Sequence, residues 1–174
     1  MRLSIPVLLL SAVCALAADP ILPDPRLSPG DALTNVTVEQ VTTRGYANVL
    51  NGGARDVPES EKRAVFVEYF GAVPAHPGNY EIDHIISLEL RGSNDIKNLF
   101  PEAFTNLVTN VISGHIIVTD WGAHTKDRLE DRMAAMLRAD LKANGHDHAM
   151  ALMKQFQREI SANWTNAYAK YFPK

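Results

Sequence analysis

The run Tyr80-Glu81-Ile82-Asp83-His84-Ile85-Ile86 alternates polar and apolar side chains over its first residues, the period-two pattern of a strand with one buried face. It closes on Gly92-Ser93-Asn94-Asp95, four residues of the types that form turns. Asn98-Leu99-Phe100-Pro101 then opens a second short extended segment. A chain that reverses this way within so few residues is held to a hairpin, and the hairpin carries an adjacent carboxylate and imidazole. Neighbouring residues of a strand point to opposite faces. Asp83 and His84 are therefore not two inward ligands of one ion unless the strand twists or bulges between them.

Twenty-six residues beyond Asn98, His124 opens a helical stretch, His124-Thr125-Lys126-Asp127-Arg128-Leu129-Glu130. One carboxylate, two imidazoles and one amide on a hairpin and a helix are the parts of a small metal-dependent phosphodiesterase site. Cutting a phosphodiester requires an activated water and stabilisation of charge on the phosphorane. A neutral imidazole accepts the proton of water because its reference pKa lies near working pH. One divalent ion clamps the scissile phosphate and the departing oxygen. In such a scheme Asn98, beside the turn, holds the loop bearing His84 by hydrogen bonds to its backbone.

Charge restricts how nucleic acid is held. The formal net charge is −3, and it becomes −4 once Arg2 is removed with a leader. Domains held to nucleic acid by bulk charge are basic, so phosphate contacts here have to be local. The leader is read from Met1-Arg2, an apolar stretch over residues 3–15 and the small residues Ala15-Leu16-Ala17, which together have the form of a secretory signal peptide of residues 1–17. The apolar stretch is too short to count as a membrane span. Cleavage after Ala17 removes Cys14, the single cysteine, so the exported chain has neither a disulfide nor a cysteine-ligated zinc site.

Residues 18–30 are proline-rich and read as a tail or an extended strap, and residues 31–174 as one domain. Residues 36–41 fit a short strand or the start of a helix. Asn51-Gly52-Gly53 is a turn or loop. Helices are expected over about 58–69, 123–143 and 147–168. In the second of these Leu129, Met133, Met136 and Leu137 share a face, and in the third Leu152, Phe156, Ile160 and Trp164 do. β-Branched residues on both sides of Ser113-Gly114 predict a second hairpin over 108–119, with a helix over 104–110 as the alternative. His146-x-His148 lacks a third ligand and is taken as solvent-facing.

The pattern Asp83-His84-x-x-x-Leu88-x-Leu90-x-Gly92-Ser93-Asn94-Asp95-x-x-Asn98-Leu99-x-Pro101, followed by Ala123-His124-x-Lys126-Asp127-x-Leu129-Glu130, resembles the HNH endonucleases, and more narrowly their small exported bacterial branch. The likeness extends to Asp24-Pro25-Arg26-Leu27-Ser28-Pro29-Gly30 and to Trp164-Thr165-x-Ala167-Tyr168, nearly the whole exported chain. The resemblance implies an α+β fold, a ββα-metal (His-Me) finger wrapped by further helices. It also implies His84 as general base, Asp83 and His124 as metal ligands and Asn98 as the orienting residue, with Lys126 or Arg128 touching phosphate. The implied cofactor is one divalent ion, magnesium first, with manganese, nickel or zinc as alternatives. The chain departs from the branch at Ser87, Arg91 and Phe100, where Pro, Gly and Trp are common. It also lacks the two cysteines frequent there and carries a longer segment between Pro101 and His124.

The expectation is therefore an exported, monomeric, metal-dependent endonuclease acting on DNA, with RNA as a second substrate, and with little sequence preference. It has no membrane association once the leader is cut. The alternative is a catalytically silent protein of the same fold that binds a metal, nucleic acid or a partner protein in the periplasm.

Overall fold

A computed structural model describes residues 22–47, 54–112 and 114–173. The leader, Cys14, the start of the proline-rich segment, the Asn51-Gly52-Gly53 turn and Ser113 lie outside the described residues. Four helices and two small antiparallel sheets make a mixed α+β fold. Helix α1 is Val38–Val41, α2 Glu59–Phe70, α3 Ala123–Asn144 and α4 His146–Tyr171. Strands β1 (Tyr80–His84) and β2 (Leu99–Ala103) form one sheet, and β3 (Leu107–Ile112) and β4 (His115–Asp120) the other. Among the described residues no helix is long and apolar enough to cross a membrane.

The undecided segment 36–41 is a helix because Thr37 and Gln40 form a capping box, each side chain bonding the other's backbone N–H. Acidic Glu59 and Glu61 occupy the first turn of α2, and Gly71, at φ 75°, ends it in the left-handed conformation that favours glycine. Helices α3 and α4 meet at Gly145 and pack as an antiparallel pair. Their buried faces carry Leu129, Met133 and Leu137 on α3 and Met153, Phe156, Ile160 and Trp164 on α4. Met153, not Leu152, continues the α4 stripe, and Leu152 is partly buried against it. At Asn163 the helix is interrupted. The Asn163 side chain accepts from Thr165 Oγ1 and Asn166 N, capping the segment that follows.

The main core joins α1, α3 and α4 to Ile85, Leu90 and Phe100 beside the first sheet. A smaller cluster, Val65, Phe66, Ile82 and Leu99, fixes α2 to the opposite face of that sheet. The first sheet is thus covered on both sides, while the second is a projecting ribbon. Val111 and Ile116, directly opposite each other in the β3–β4 register, are 71% and 74% exposed.

The proline-rich segment is a strap with a defined seat. Ser28 Oγ donates to Leu99 O, Gly30 N donates to Lys97 O, and Ala32 bridges to Gly92. It lies across the connection between β1 and β2, where the backbone is crowded. A Cβ on Gly92 would meet Ile86 O at 1.7 Å and Asn98 Nδ2 at 2.9 Å. Overpacking against backbone of this kind costs about 3 kcal/mol. Gly92→Ala is therefore expected to lower the free energy of unfolding by that amount, seen as a lower denaturant midpoint at unchanged slope, and an unchanged midpoint would show that the connection rearranges freely.

Candidate active site

Pairing places the polar residues of the first sheet. Glu81 lies opposite Glu102, and Asp83 opposite Phe100. Opposed residues and residues two apart share a face, so Glu81, Asp83, Phe100 and Glu102 form one side. That side receives α3. Ile82, His84 and Leu99 point the other way, as expected of neighbours in a strand.

On the α3 side the organising group is Lys126. Its side chain is 1% exposed, and its Nζ donates to Asp83 Oδ2 (2.5 Å), Glu130 Oε1 (2.5 Å) and the carbonyl oxygen of His84 (2.7 Å). Lys126 and Glu130 are four residues apart and share a helix face. Glu102, also 1% exposed, has no hydrogen-bond partner for either carboxylate oxygen. Three acidic groups therefore surround one ammonium away from water. Burial would lower the Lys126 pKa, but Asp83, Glu130 and Glu102 outweigh it and hold the group protonated. Burial raises Asp83 as well, yet the neighbouring ammonium leaves it below its ordinary value. Glu130 is pushed up to about 8, chiefly by burial, and Glu102 well above the carboxylate range for the same reason.

The pH dependence of stability follows in sign. A carboxyl whose folded pKa exceeds its unfolded value stabilises the protein fully below about 4.5 and loses that contribution as pH rises through the folded value. Asp83 acts oppositely, and its contribution disappears below its ordinary pKa. The free energy of unfolding is thus expected to fall as pH rises from about 4.5 through about 8, by roughly 1–3 kcal/mol. Glu102→Gln should flatten that fall, and a stability that rises across this range would contradict the arrangement.

On the other face, His84 ends β1 and is 1% exposed. Its Nε2 lies 2.9 Å from Asn94 Oδ1, while Asn94 Nδ2 donates to Ala54 O at 2.7 Å. The bond to Ala54 orients the amide so that its oxygen faces the ring. Nε2 then carries the proton and Nδ1 the lone pair. Nδ1 is buried with no partner. Burial depresses the His84 pKa below its ordinary value, and the pull of Asp83 and Asn94 does not restore it, so the ring is neutral.

Asn98 is fully buried and bonds backbone on three segments. Its Oδ1 accepts from Ile86 N and Asp31 N, and its Nδ2 donates to Ile86 O and Ser93 O. The amide thus clasps the loop that follows His84 to the strap. This is the backbone-holding geometry expected of it.

The structure does not bring the other sequence candidates to Asp83. His124 is 83% exposed and lies 3.6 Å from Asp127. The reason is angular: residues two apart on a helix differ by about 200°, so α3 turns either 124 or 126 toward the sheet. The buried stripe Ala123, Lys126, Leu129, Met133 selects 126. Lys126 is correspondingly sealed from any phosphate at the surface. Arg128, two further on, sits over the Tyr168 and Phe172 rings at 5.8 and 5.3 Å.

The expected divalent ion does not fit these groups as they stand. One of its two ligands is bound by an ammonium, and the other is exposed and paired with Asp127. Among the described residues no three His, Cys, Asp or Glu side chains form an ion-holding group. Glu102 was not foreseen, although the pairing of Asp83 with Phe100 puts it on the same face. Asn94 read as a turn residue and emerges as the partner of His84.

No family model, no curated protein and no solved structure matches this chain.

Proposed function

We propose that this chain is an exported endonuclease that hydrolyses phosphodiester bonds in DNA, and in RNA as a second substrate, with His84 as the general base. The observation that carries this reading is the state of the His84 ring. Nε2 is tied to Asn94, and Nδ1 is an unprotonated lone pair without a protein donor. The ring is neutral, with one fixed and one free nitrogen, but Nδ1 has no solvent-facing surface, so it can take a proton from water aligned on a phosphorus only once the segment over it moves to admit them. The hairpin of β1 and β2 with α3 laid against its Asp83 face supports a ββα arrangement, with the His84 ring on the opposite face of the hairpin.

Open space lies beside the strand, although His84 itself does not line it. A cleft of about 750 Å3 runs along β1, lined by Tyr80, Glu81, Phe66, Arg55, Lys62 and Arg63. Arg55 lies 3.6 Å from Glu81, and its positive charge is among those that depress the His84 pKa. Arg55, Lys62 and Arg63 share the cleft with Asp56, Glu59 and Glu81, and Lys62 is paired with Glu59, so a backbone phosphate would compete with these acids for the local contacts that the negative net charge requires.

The test is nicking of supercoiled plasmid by the purified chain from Asp19 onward, with magnesium, manganese, nickel or zinc and with chelator. Metal sensitivity would be read from the same gels. The low pKa of His84 sets the pH profile. The base form persists below the ordinary histidine value, so the acidic limb of the rate is expected below about pH 6.5. A well-folded protein that cuts neither DNA nor RNA under any of these conditions would refute the nuclease reading. One observation favours a second reading: Lys126 occupies Asp83 and closes that face. A silent protein of the same fold would bind plasmid or a partner protein without cleaving.

A further inference from the structure

We propose that the ammonium of Lys126 is the resident cation of this site, seated among oxygen ligands that a divalent ion would otherwise use. The proposal starts from the hairpin-and-helix site of the nuclease reading, but it concerns cation occupancy and not cleavage.

All three N–H donors of the ammonium are used, on Asp83 Oδ2, Glu130 Oε1 and His84 O. Carboxylate and carbonyl oxygens converging from a strand and a helix are what a hard divalent ion requires. A dication and an ammonium cannot share the same two carboxylates, because like charges at that separation repel. Lys126 is 1% exposed and so does not swing into solvent to yield its place. The acidic groups outnumber the cation: Asp83, Glu102 and Glu130 face one ammonium away from water. Removing the ammonium would leave an uncompensated cluster of oxygen donors. Arg55 does not replace it, since its guanidinium lies against Glu81 further along the strand.

The consequence is a site with a covalently tethered charge in place of an exchangeable one. The tether joins β1 to α3 and holds the carbonyl of the residue bearing the imidazole, so the position of His84 is independent of metal supply.

The experiment is titration of the purified full chain with Mn2+, followed by the spin-resonance signal of the free ion. Wild type is expected to leave that signal undiminished. Lys126→Met, which keeps most of the length of the side chain and removes its charge, is expected to take up one Mn2+ per chain, and Asp83→Asn added to it should abolish the uptake. Uptake of one Mn2+ by wild type that Asp83→Asn removes would overturn the proposal. So would a folded Lys126→Met protein that takes up none. Should Lys126→Met fail to fold by circular dichroism, Lys126→Gln, uncharged but still polar, takes its place, and a folded Lys126→Gln protein that takes up no Mn2+ would equally overturn the proposal. Cleavage is not read at any step, so failure of the nuclease reading and failure of this proposal are separate results.

Discussion

Asn98→Ala is expected to cost about 4 kcal/mol of folding stability, a large share of the roughly 5–15 kcal/mol that holds a domain of ordinary stability folded. The amide serves four backbone groups at once: Ile86 N and O, Asp31 N and Ser93 O, at 2.8–3.2 Å. Deleting it leaves each of them unpaired where water has little room. An orphaned buried polar group costs about 1–3 kcal/mol, and partial collapse or an admitted water keeps the total below the simple sum. Asn98→Asp separates hydrogen bonding from volume. It keeps the size and one acceptor, but turns its second oxygen toward Ile86 O and Ser93 O, which need donors. Both variants should lower the midpoint of chemical denaturation steeply, with Asp no better than Ala. A loss below about 1 kcal/mol in either would mean that the loop is held by its remaining bonds, among them Gly92 N to Ser87 O.

The distinction between what the sequence disclosed and what it hid is physical. Periodicity marked the helices α3 and α4 to within a few residues because each repeats a contact with the core, whereas α2 was legible from the proline and acids at its start and the β3–β4 ribbon from β-branched residues around a turn. Opposite orientation of Asp83 and His84 also followed from strand geometry alone, and the structure directs one toward α3 and the other toward Asn94. The rotation of α3 was harder to read. His124 and Lys126 are both polar, and a helical wheel favours neither until Ala123, Leu129 and Met133 are known to pack inward together. A lysine in a buried stripe looks like a surface charge in sequence, since the three acceptors that satisfy it come from β1 and from the next turn of its own helix. Glu102 was hidden for a similar reason: its partnerless burial depends on the β1–β2 register, which no local pattern announces. The strap over residues 22–33 was legible as extended chain, but its seat on Leu99 O, Lys97 O and Gly92 was not, because those contacts span about seventy residues.

His84→Ala is the second large effect, expected to lower the rate of plasmid nicking by about two to four orders of magnitude, the usual contribution of a positioned general base. The ring has no other evident duty in the fold. One nitrogen meets a single amide and the other meets nothing, so its removal leaves β1 still held by Lys126 through the His84 carbonyl and by Asn98 through Ile86. A buried ring leaves a cavity, and His84→Gln is the companion variant because it fills most of that space without an imidazole lone pair. Both should retain the wild-type circular dichroism spectrum, and both should lose activity. Asn94→Ala tests the other half of the argument. Without its oxygen the ring no longer has a fixed tautomer, and Nδ1 carries the proton in part of the population. Loss of such an orienting partner costs on the order of tenfold to a hundredfold, with the protein otherwise intact. If Asn94→Ala is silent while His84→Gln is dead, the imidazole is the base but its tautomer is set by substrate. If His84→Gln retains activity within a few fold of wild type, the free nitrogen is an accident of packing and the base is elsewhere.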